Sequence, residues 1–139
     1  MLNDEELLRY SRQILLKHVD VAGQLRLKNS KVLIVGLGGL GSPVALYLAA
    51  AGVGELYLVD FDTLDVSNLQ RQIVHDTAAL GVLKVESAQA RLQGLNPHIA
   101  VQAISDKLTA ENLPNLLQSI DVVVDCTDNF TIRSQLNAA

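Results

Sequence analysis

A glycine-rich loop between a predicted strand and a predicted helix constrains the fold of this chain more than any other sequence feature. Residues 31–35 are mostly β-branched and apolar, which predicts a strand buried on both faces. Residues 36–41 read GLGGLG, and residues 42–51, rich in Ala and Leu, predict a helix that Gly52 ends. Strand, glycine turn and helix in this order give the G-x-G-x-x-G pattern the context of a nucleotide-binding loop.

The rest of the chain alternates predicted strands with predicted helices. Because parallel neighbours need crossover connections, this alternation predicts an α/β fold with a doubly wound, Rossmann-like parallel sheet. Apolar residues at helical spacing also predict an amphipathic helix over 4–18 with one face packed inward, and a short helix over 21–27. Those apolar residues are Leu7, Leu8, Ile14 and Leu15. The other predicted elements are strands 55–60, 99–104 and 121–125 and helices 84–95 and 110–118.

The predicted elements divide the chain into N-terminal helices over 1–30 and a nucleotide-binding domain over 31–139. Doubly wound nucleotide folds usually have about six strands, whereas this sequence predicts four. The sequence stops at residues 136–139, inside what resembles the opening turns of another helix, with no cap, glycine or proline to end it. We therefore expect a domain that is truncated after its fourth strand, in a sequence that continues beyond residue 139.

Composition and charge exclude several classes of partner. The chain of 139 residues is 49% apolar and carries a net charge of −4, which leaves no basic surface for nonspecific nucleic-acid binding. The longest apolar run, 44–51, is too short for a membrane span, and the start over 1–6 is too acidic for a signal peptide. We expect a cytoplasmic protein with no nucleic-acid and no membrane partner.

Residue types that bind metals or act as nucleophiles are few. A single cysteine, Cys126, excludes an internal disulfide and a four-cysteine zinc site within these residues. It lies at the end of a predicted buried strand, so we expect a small core residue and not a reactive thiol. His18, His75 and His98 lack ligand spacing, and we expect them on the surface or in loops, without a role.

Acidic and basic residues follow the predicted strands at the edge where the glycine loop lies. Asp60 comes nineteen residues after Gly41, near the distance at which an acidic residue meets a ribose in such folds. Asn68 and Arg71 follow the second strand about one helical turn apart, and Lys84 opens a helix, where a cation is unfavourable unless an anion lies nearby. These features predict phosphate binding. Two alternatives remain open: the glycines could only permit close packing of the helix on the strand, and Arg71 and Lys84 could belong to a solvated charged face.

Asp128 follows the fourth predicted strand by three residues. In a doubly wound sheet this strand lies on the far side of the first, so Asp128 is expected across the crevice from the glycine loop, where its carboxylate could hold Mg²⁺ on phosphates. The pair Asp128-Asn129 could equally cap the terminal helix. Both roles remain open from the sequence.

Several motifs in order along nearly the whole chain resemble the ThiF/MoeB/HesA family of adenylating enzymes, which is related to the ubiquitin-activating enzymes. The Arg-Tyr-x-Arg-Gln start, the run Ser-Asn-Leu-Gln-Arg-Gln and the run Asp-Cys-Thr-Asp-Asn are together highly specific. Within the family, the branches that serve molybdopterin and thiamine biosynthesis are the most similar. The matching segments are 9–14, 35–41, 60–62, 67–72, Lys84, 96–97 and 125–129.

The resemblance implies the adenylation of the C-terminal glycine of a small ubiquitin-like sulfur-carrier protein, with ATP and Mg²⁺, and later formation of a thiocarboxylate. It implies that Arg71 and Lys84 act on the phosphates, that Asp128 coordinates Mg²⁺, and that Arg12 reaches the ATP of the neighbouring subunit in a homodimer. The zinc-binding cysteine pairs of the family lie beyond the point where this sequence ends. The candidate ATP-binding residues are Gly36, Gly38, Gly39, Gly41, Asp60, Asp62, Ser67, Asn68, Leu69, Gln70, Arg71, Lys84, Asp128 and Asn129.

Two other functions remain open. An NAD-dependent dehydrogenase would share the glycine loop and Asp60 but has no need of Arg71, Lys84 or Asp128. A catalytically silent partner would keep the fold for binding and dimerisation, but would be expected to lose the same charged positions. The joint presence of these residues favours the adenylating enzyme, of which residues 1–139 would form the ATP-binding half.

Overall fold

The sheet consists of four parallel strands. The computed structural model describes residues 1–139, and its strands are β1 (Lys31–Val35), β2 (Glu55–Val59), β3 (Ala100–Ile104) and β4 (Val122–Asp125). Their order is β3-β2-β1-β4, so the chain winds in one direction from β1 to β3 and then crosses back to place β4 beside β1. The predicted doubly wound parallel sheet is confirmed, and its switch point lies between β1 and β4.

Helices cover both faces of this sheet. Their bounds are α1 (Asp4–Arg9), α2 (Ser11–Ile14), α3 (Asp20–Lys28), α4 (Gly41–Ala51), α5 (Lys84–Leu95), α6 (Leu113–Leu117) and α7 (Phe130–Ala138). Val32 and Ile34 of β1 join the core formed with α4 and α5, whereas Leu33 and Val35 join the core formed with α6 and α7. Alternate residues of a strand face opposite sides, so β1 is buried on both faces, as its sequence predicts.

The N-terminal segment differs from its prediction. The expected helix over 4–18 is broken into α1 and α2, and its expected inward face is not buried, since Leu8 is 77% and Leu15 is 84% exposed. The residues that this segment buries are instead Leu2, Glu6 and Tyr10. The prediction was wrong because the spacing of apolar residues gives no sign that a polar residue such as Glu6 is buried. The carboxylate of Glu6 pairs with Lys28 at 2.8 Å.

Buried amide side chains fasten the N-terminal helices to the end of α4. Asn96 donates to the hydroxyl of Tyr10 at 2.7 Å, and Gln24 and Gln13 donate to the carbonyl of Ala51 at 2.9 and 2.8 Å. Asn96 and Gln24 are fully buried. Because buried polar groups lose much when they lose their partners, this network holds α2 in one place on the nucleotide-binding domain.

The C-terminal elements leave one edge of the sheet open. On β4, Val122 is 54% and Val123 is 37% exposed, and no strand pairs with the outer side of β4. The last helix, α7, begins at Phe130, directly after the Asp128-Asn129 pair that the sequence suggests as its cap. None of the helices has both the length and the apolar character needed to cross a membrane.

Candidate active site

A cavity of about 690 Å³ lies at the carboxyl ends of the strands, at the switch point between β1 and β4. Its wall combines the glycine loop, the segment after β2, the start of α5 and the segment after β4. Ligands bind at this place in doubly wound sheets, as the sequence argument expects. The predicted site residues that line it are Gly36, Gly38, Gly39, Asp60, Asp62, Asn68, Arg71, Lys84, Asp128 and Asn129.

The glycine loop turns sharply between β1 and α4. Gly36 has φ +94°, a left-handed conformation that favours glycine, and its N–H donates to the carbonyl of Val59 at 2.8 Å. At Gly41 a Cβ atom would lie 2.8 Å from the carbonyl carbon of Gly36 and closer still to its oxygen. The loop therefore folds back on itself so tightly that α4 can begin only at a residue without a side chain.

Backbone N–H groups of this loop are available to a ligand. The N–H groups of Gly38 and Gly39 donate to no backbone or side-chain acceptor of the chain, and both residues line the cavity. They lie just before the N-terminus of α4, where the helix dipole also favours an anion. The arrangement suits a phosphate group, which supplies several acceptor oxygens.

Asp60 supports the loop from behind. Its Oδ2 accepts the N–H of Leu37 at 2.9 Å, and its Oδ1 accepts the N–H of Asp62 at 2.9 Å. The sequence suggests only a contact with ribose for this residue. The structure shows that this carboxylate holds the loop, and since a carboxylate oxygen can accept more than one hydrogen bond, this role is compatible with the predicted contact.

The segment after β2 carries Arg71 to the cavity. A short 3₁₀ turn, Val66–Asn68, is capped by Asp65, whose carboxylate accepts the N–H of Ser67 at 2.9 Å. Arg71 packs its aliphatic stem against Gly39 and donates one guanidinium N–H to the carbonyl of Ser67 at 3.3 Å. No carboxylate of the chain pairs with this guanidinium, so its charge remains available at the cavity.

Lys84 is the first residue of α5, and its side chain is only 8% exposed. The nearest carboxylate is that of Asp62, at 3.9 Å from Nζ. A buried ammonium with one loose ion pair at the positive end of a helix is costly without a further anion. The alternative interpretation of Lys84 as part of a solvated face is therefore wrong.

The two candidate roles of the Asp128-Asn129 pair fall on different residues. Asn129 is the cap of α7, since its Oδ1 accepts the N–H of Ile132 at 3.2 Å. The carboxylate of Asp128 is exposed at the cavity and makes no hydrogen bond or ion pair in the chain. The cap formed by Asn129 fixes the backbone beside Asp128, while the carboxylate oxygens of Asp128 stay free to bind a ligand.

Fixed hydrogen bonds hold the segment after β4 in place. Asp125 accepts from the hydroxyl of Thr127 at 2.7 Å and from Nε of Arg133 at 2.8 Å. Burial raises the pKa of Asp125, but the hydrogen bonds from Thr127 and Arg133 outweigh it and hold the pKa below its ordinary value. Asp125 thus stays ionised and ties the strand end to α7, with Asp128 between them.

Charge in the cavity favours a divalent cation together with a phosphate ligand. Four carboxylates line it against the two cations Arg71 and Lys84, so the wall carries more negative than positive charge. The carboxylates are Asp60, Asp62, Asp106 and Asp128. A polyphosphate would be repelled by this wall unless a cation joined it, and Mg²⁺ typically binds through one or two carboxylates plus phosphate oxygens. The exposed oxygens of Asp128 fit this chemistry.

Some of the predicted site residues do not reach the cavity. Arg12 lies exposed on α2, away from the cavity wall of its own chain. Gly41 shapes the loop from behind. Conversely, the cavity wall includes residues that the sequence argument missed, among them Gln72, whose buried Oε1 has no partner. The predicted residues outside the wall are Arg12, Gly41, Ser67, Leu69 and Gln70.

Cys126 and His75 differ in part from their predictions. Cys126 packs against the core on the α4 and α5 side, as expected, but it is only half-buried and also lines the cavity. Burial and the nearby charge of Asp125 raise the pKa of its thiol, which disfavours the reactive thiolate. His75 does lie in a loop, yet its ring is buried beside the glycine loop, where it contacts Leu37 and Ser87.

The burial of His75 predicts a pH dependence of stability. Burial, assisted by the charge of Lys84 and opposed by the carbonyl of Leu37, lowers the pKa of His75 below its ordinary value of 6.5. Between the lowered pKa and 6.5 the unfolded chain binds a proton that the folded chain does not, so the free energy of unfolding rises with pH in this range. The contribution of the neutral, buried His75 to stability is fully present above 6.5 and is lost as the pH falls through the lowered pKa. We expect urea unfolding to show lower stability at about pH 5.5 than at about pH 7.5. His75→Gln should reduce this difference, and an unchanged difference would contradict the assignment.

Comparisons with known proteins agree with the geometry. Residues 10–139 match the ThiF family. The chain is 57% identical to the molybdopterin-synthase adenylyltransferase of Haemophilus influenzae over 98% of its own length, and 51% identical to the sulfur carrier protein ThiS adenylyltransferase of Escherichia coli over 99%. Among solved structures, the E. coli tRNA N6-threonylcarbamoyladenosine dehydratase TcdA in complex with AMP superposes with a TM-score of 0.92 at 26% identity, covering 99% of this chain and 56% of TcdA.

The chain spans about half the length of the curated relatives it matches. It covers 56% of the H. influenzae protein and 55% of the E. coli ThiS adenylyltransferase. The matched part contains the glycine loop, the segment after β2, the start of α5 and the segment after β4, which together form the cavity.

Proposed function

Because this chain belongs to the ThiF family, we propose that it forms the ATP-binding site of an enzyme that adenylates the C-terminal glycine of a small ubiquitin-like sulfur-carrier protein. The single observation that carries the proposal is the cavity itself. Unpaired loop N–H groups, a buried ammonium at Lys84, the guanidinium of Arg71 and the free carboxylate of Asp128 face one space. Relatives that are named adenylyltransferases support the reaction.

In the proposed reaction, a carboxylate oxygen of the carrier attacks the α-phosphorus of ATP. The bond from that phosphorus to the oxygen that bridges to the β-phosphate breaks, and pyrophosphate leaves with the electron pair. The products are the acyl-adenylate and pyrophosphate. No proton transfer is required, so the protein contributes positioning and charge stabilisation.

The residues of the chain divide these tasks. The N–H groups of Gly38 and Gly39 bind phosphate oxygens, and Asp60 meets the ribose while it holds the loop. Arg71 and Lys84 stabilise the negative charge that moves towards the leaving pyrophosphate. Asp128 holds Mg²⁺, which supplies further charge neutralisation on the phosphates when bound.

The N-terminal motif supports a role for Arg12 in a second active site. Three of its residues have structural partners: Arg9 donates to the carbonyl of Leu95 at 3.1 Å, and Tyr10 and Gln13 belong to the buried network. Arg12 is exposed and has no hydrogen bond or ion pair in the chain. We propose that residues 1–30 form a homodimer contact through which Arg12 reaches the ATP of the other subunit.

Exposed leucines beside Arg12 support the same contact. Leu8, Leu15 and Leu16 are 77%, 84% and 59% exposed, so three large apolar side chains of this short segment face water. A homodimer that covers this surface would remove it from water and would place α2 at a second subunit.

The relatives suggest the class of carrier. One relative is named a molybdopterin-synthase adenylyltransferase and another a sulfur carrier protein ThiS adenylyltransferase, and both exceed 50% identity to this chain. We propose a MoaD-like or ThiS-like carrier with a C-terminal Gly-Gly, in molybdopterin or thiamine biosynthesis. The higher identity to the molybdopterin-synthase relative favours the MoaD-like carrier.

Exchange of labelled pyrophosphate into ATP tests the proposal. With Mg²⁺, we expect exchange only when a Gly-Gly-ended carrier is present, because the reverse reaction needs the acyl-adenylate. A carrier that lacks its last glycine is the matched control and should give none. ATP binding is measured on the same sample. Binding of ATP without exchange would favour either a nucleotide-binding half that needs the rest of the enzyme for catalysis or a catalytically silent partner, and absence of ATP binding would contradict the proposed site altogether.

A further inference from the structure

The ring of His75 lies directly behind the glycine loop, outside the set of residues that face the cavity. It is 7% exposed. Its Nε2 lies 3.1 Å from the carbonyl oxygen of Leu37, and its Nδ1 lies 2.8 Å from Oγ of Ser87. These contacts join a loop residue, a residue of the glycine loop and a residue of α5.

The partners fix the state of the ring. The carbonyl of Leu37 can only accept a hydrogen bond, so Nε2 of His75 carries the hydrogen and donates it. In the neutral ring Nδ1 then has a free lone pair, and the hydroxyl of Ser87 donates to it. Both ring nitrogens are thus satisfied in one tautomer, which sets the orientation of the imidazole.

This hydrogen bond sets the direction of one peptide unit in the glycine loop. The Leu37 carbonyl and the Gly38 N–H belong to the same planar peptide, and no peptide of the chain is cis, so the two groups point in opposite directions. His75 holds the carbonyl at the back of the loop. The Gly38 N–H is therefore directed towards the cavity, which Gly38 lines.

The peptide before it is fixed as well. Asp60 accepts the N–H of Leu37 at 2.9 Å, and the side chain of Leu37 is fully buried in the core. Leu37 is thus held at its N–H, its side chain and its carbonyl. Of these three restraints, the one from His75 acts on the peptide unit that carries a free N–H at the cavity.

The same ring connects the loop to the helix that carries Lys84. Ser87 lies one turn after Lys84 on α5, and its hydroxyl is the other partner of His75. Rotation or loss of the ring would release the glycine loop and α5 from each other. The loop N–H and the Lys84 ammonium, which are both proposed to bind phosphate, would then no longer be held at a fixed distance from each other.

We propose that His75 is a positioning residue, which orients the Gly38 N–H for phosphate binding through the Leu37 carbonyl and aligns the loop with α5 through Ser87. The inference rests on the proposed function, since it assigns the loop to a phosphate of ATP. The charged groups around the ring are Lys84 on α5, Asp60 after β2 and Asp76 beside it in its loop. Burial lowers the pKa of His75, which agrees with a neutral donor at neutral pH.

Substitutions that keep or remove the donor test this role. His75→Leu removes both hydrogen bonds at similar volume, whereas His75→Gln keeps an amide N–H that can reach the Leu37 carbonyl. We expect His75→Leu to weaken ATP binding by about tenfold and His75→Gln by about threefold or less. Adenosine, which has no phosphate, should bind the wild type and both variants equally. Gln93→Leu, at an exposed residue of α5 that makes no side-chain hydrogen bond and lies outside the cavity wall, is the control and should bind ATP as the wild type does.

Ser87→Ala provides a milder test should His75→Leu fail to fold. It leaves the ring and its donor in place but removes the hydroxyl that orients them, and we expect ATP affinity to fall by about threefold with unchanged adenosine affinity. Unchanged ATP affinity in both His75→Leu and Ser87→Ala would overturn the inference. Equal weakening of ATP and adenosine would also overturn it, because it would indicate a general disturbance. A wild type that binds no ATP would instead contradict the proposed function.

Discussion

Carrier-dependent pyrophosphate exchange is expected to fall by about a hundredfold or more when Asp128 is replaced by alanine, because the variant loses the carboxylate that we propose as the ligand of Mg²⁺. The carboxylate is exposed at the cavity and makes no hydrogen bond or ion pair. Asn129, and not Asp128, caps α7. The substitution Asp128→Ala therefore removes the proposed metal ligand and leaves the surrounding structure in place. Thermal unfolding of the variant should show little change.

Binding of ATP without metal separates a metal role from a general loss of the site. Four carboxylates and two cations line the cavity, so removal of the Asp128 carboxylate should leave metal-free ATP binding equal or tighter. The gain in ATP affinity on addition of Mg²⁺ should be lost. Glu111→Ala, at an exposed carboxylate outside the cavity, changes the net charge equally and should behave as the wild type. Exchange at the wild-type rate in Asp128→Ala would refute the assignment.

The location of the site could be predicted from the sequence because parallel strands bring their carboxyl ends to one edge. The glycine loop follows β1, Asp60 follows β2 and Asp128 follows β4, so the order of the strands alone places these residues around one crevice. No side-chain geometry is needed for that step. The same reasoning predicts that Lys84, at the start of the helix after this edge, faces the same space.

Other features depend on packing between distant segments, which a pattern does not contain. His75 contacts Leu37 across 38 residues of sequence, and nothing in its local sequence distinguishes it from a surface histidine. The N-terminal prediction failed for a related reason. Leu8 and Leu15 have helical spacing, but burial in that segment is decided by Tyr10, whose hydroxyl pairs with Asn96. Apolar periodicity shows which residues could be buried, but it does not contain the hydrogen bonds that the buried Glu6 and Tyr10 make with distant residues.

Gly41→Ala is expected to disturb the glycine loop and the fold together. At Gly41 an added Cβ would collide with the backbone of Gly36 and lie 3.6 Å from Cβ of Cys126. The atoms in conflict are mainly backbone, so no side chain can move to relieve the collision. We expect Gly41→Ala to lower the free energy of unfolding by about 3 kcal/mol and to abolish ATP binding, because the loop must open to admit the methyl group.

Gly94→Ala is the matched control for this prediction. Gly94 lies in α5 with no atom within 4 Å of the position of an added Cβ, and it is exposed. Alanine favours a helix over glycine, so this variant should be more stable by about 0.5–1 kcal/mol and should bind ATP normally. Urea unfolding and ATP titration of both variants check the prediction. Equal behaviour of the two would mean that the loop tolerates a side chain at Gly41, and that the tight return of the loop onto Gly36 does not determine the geometry of the phosphate site.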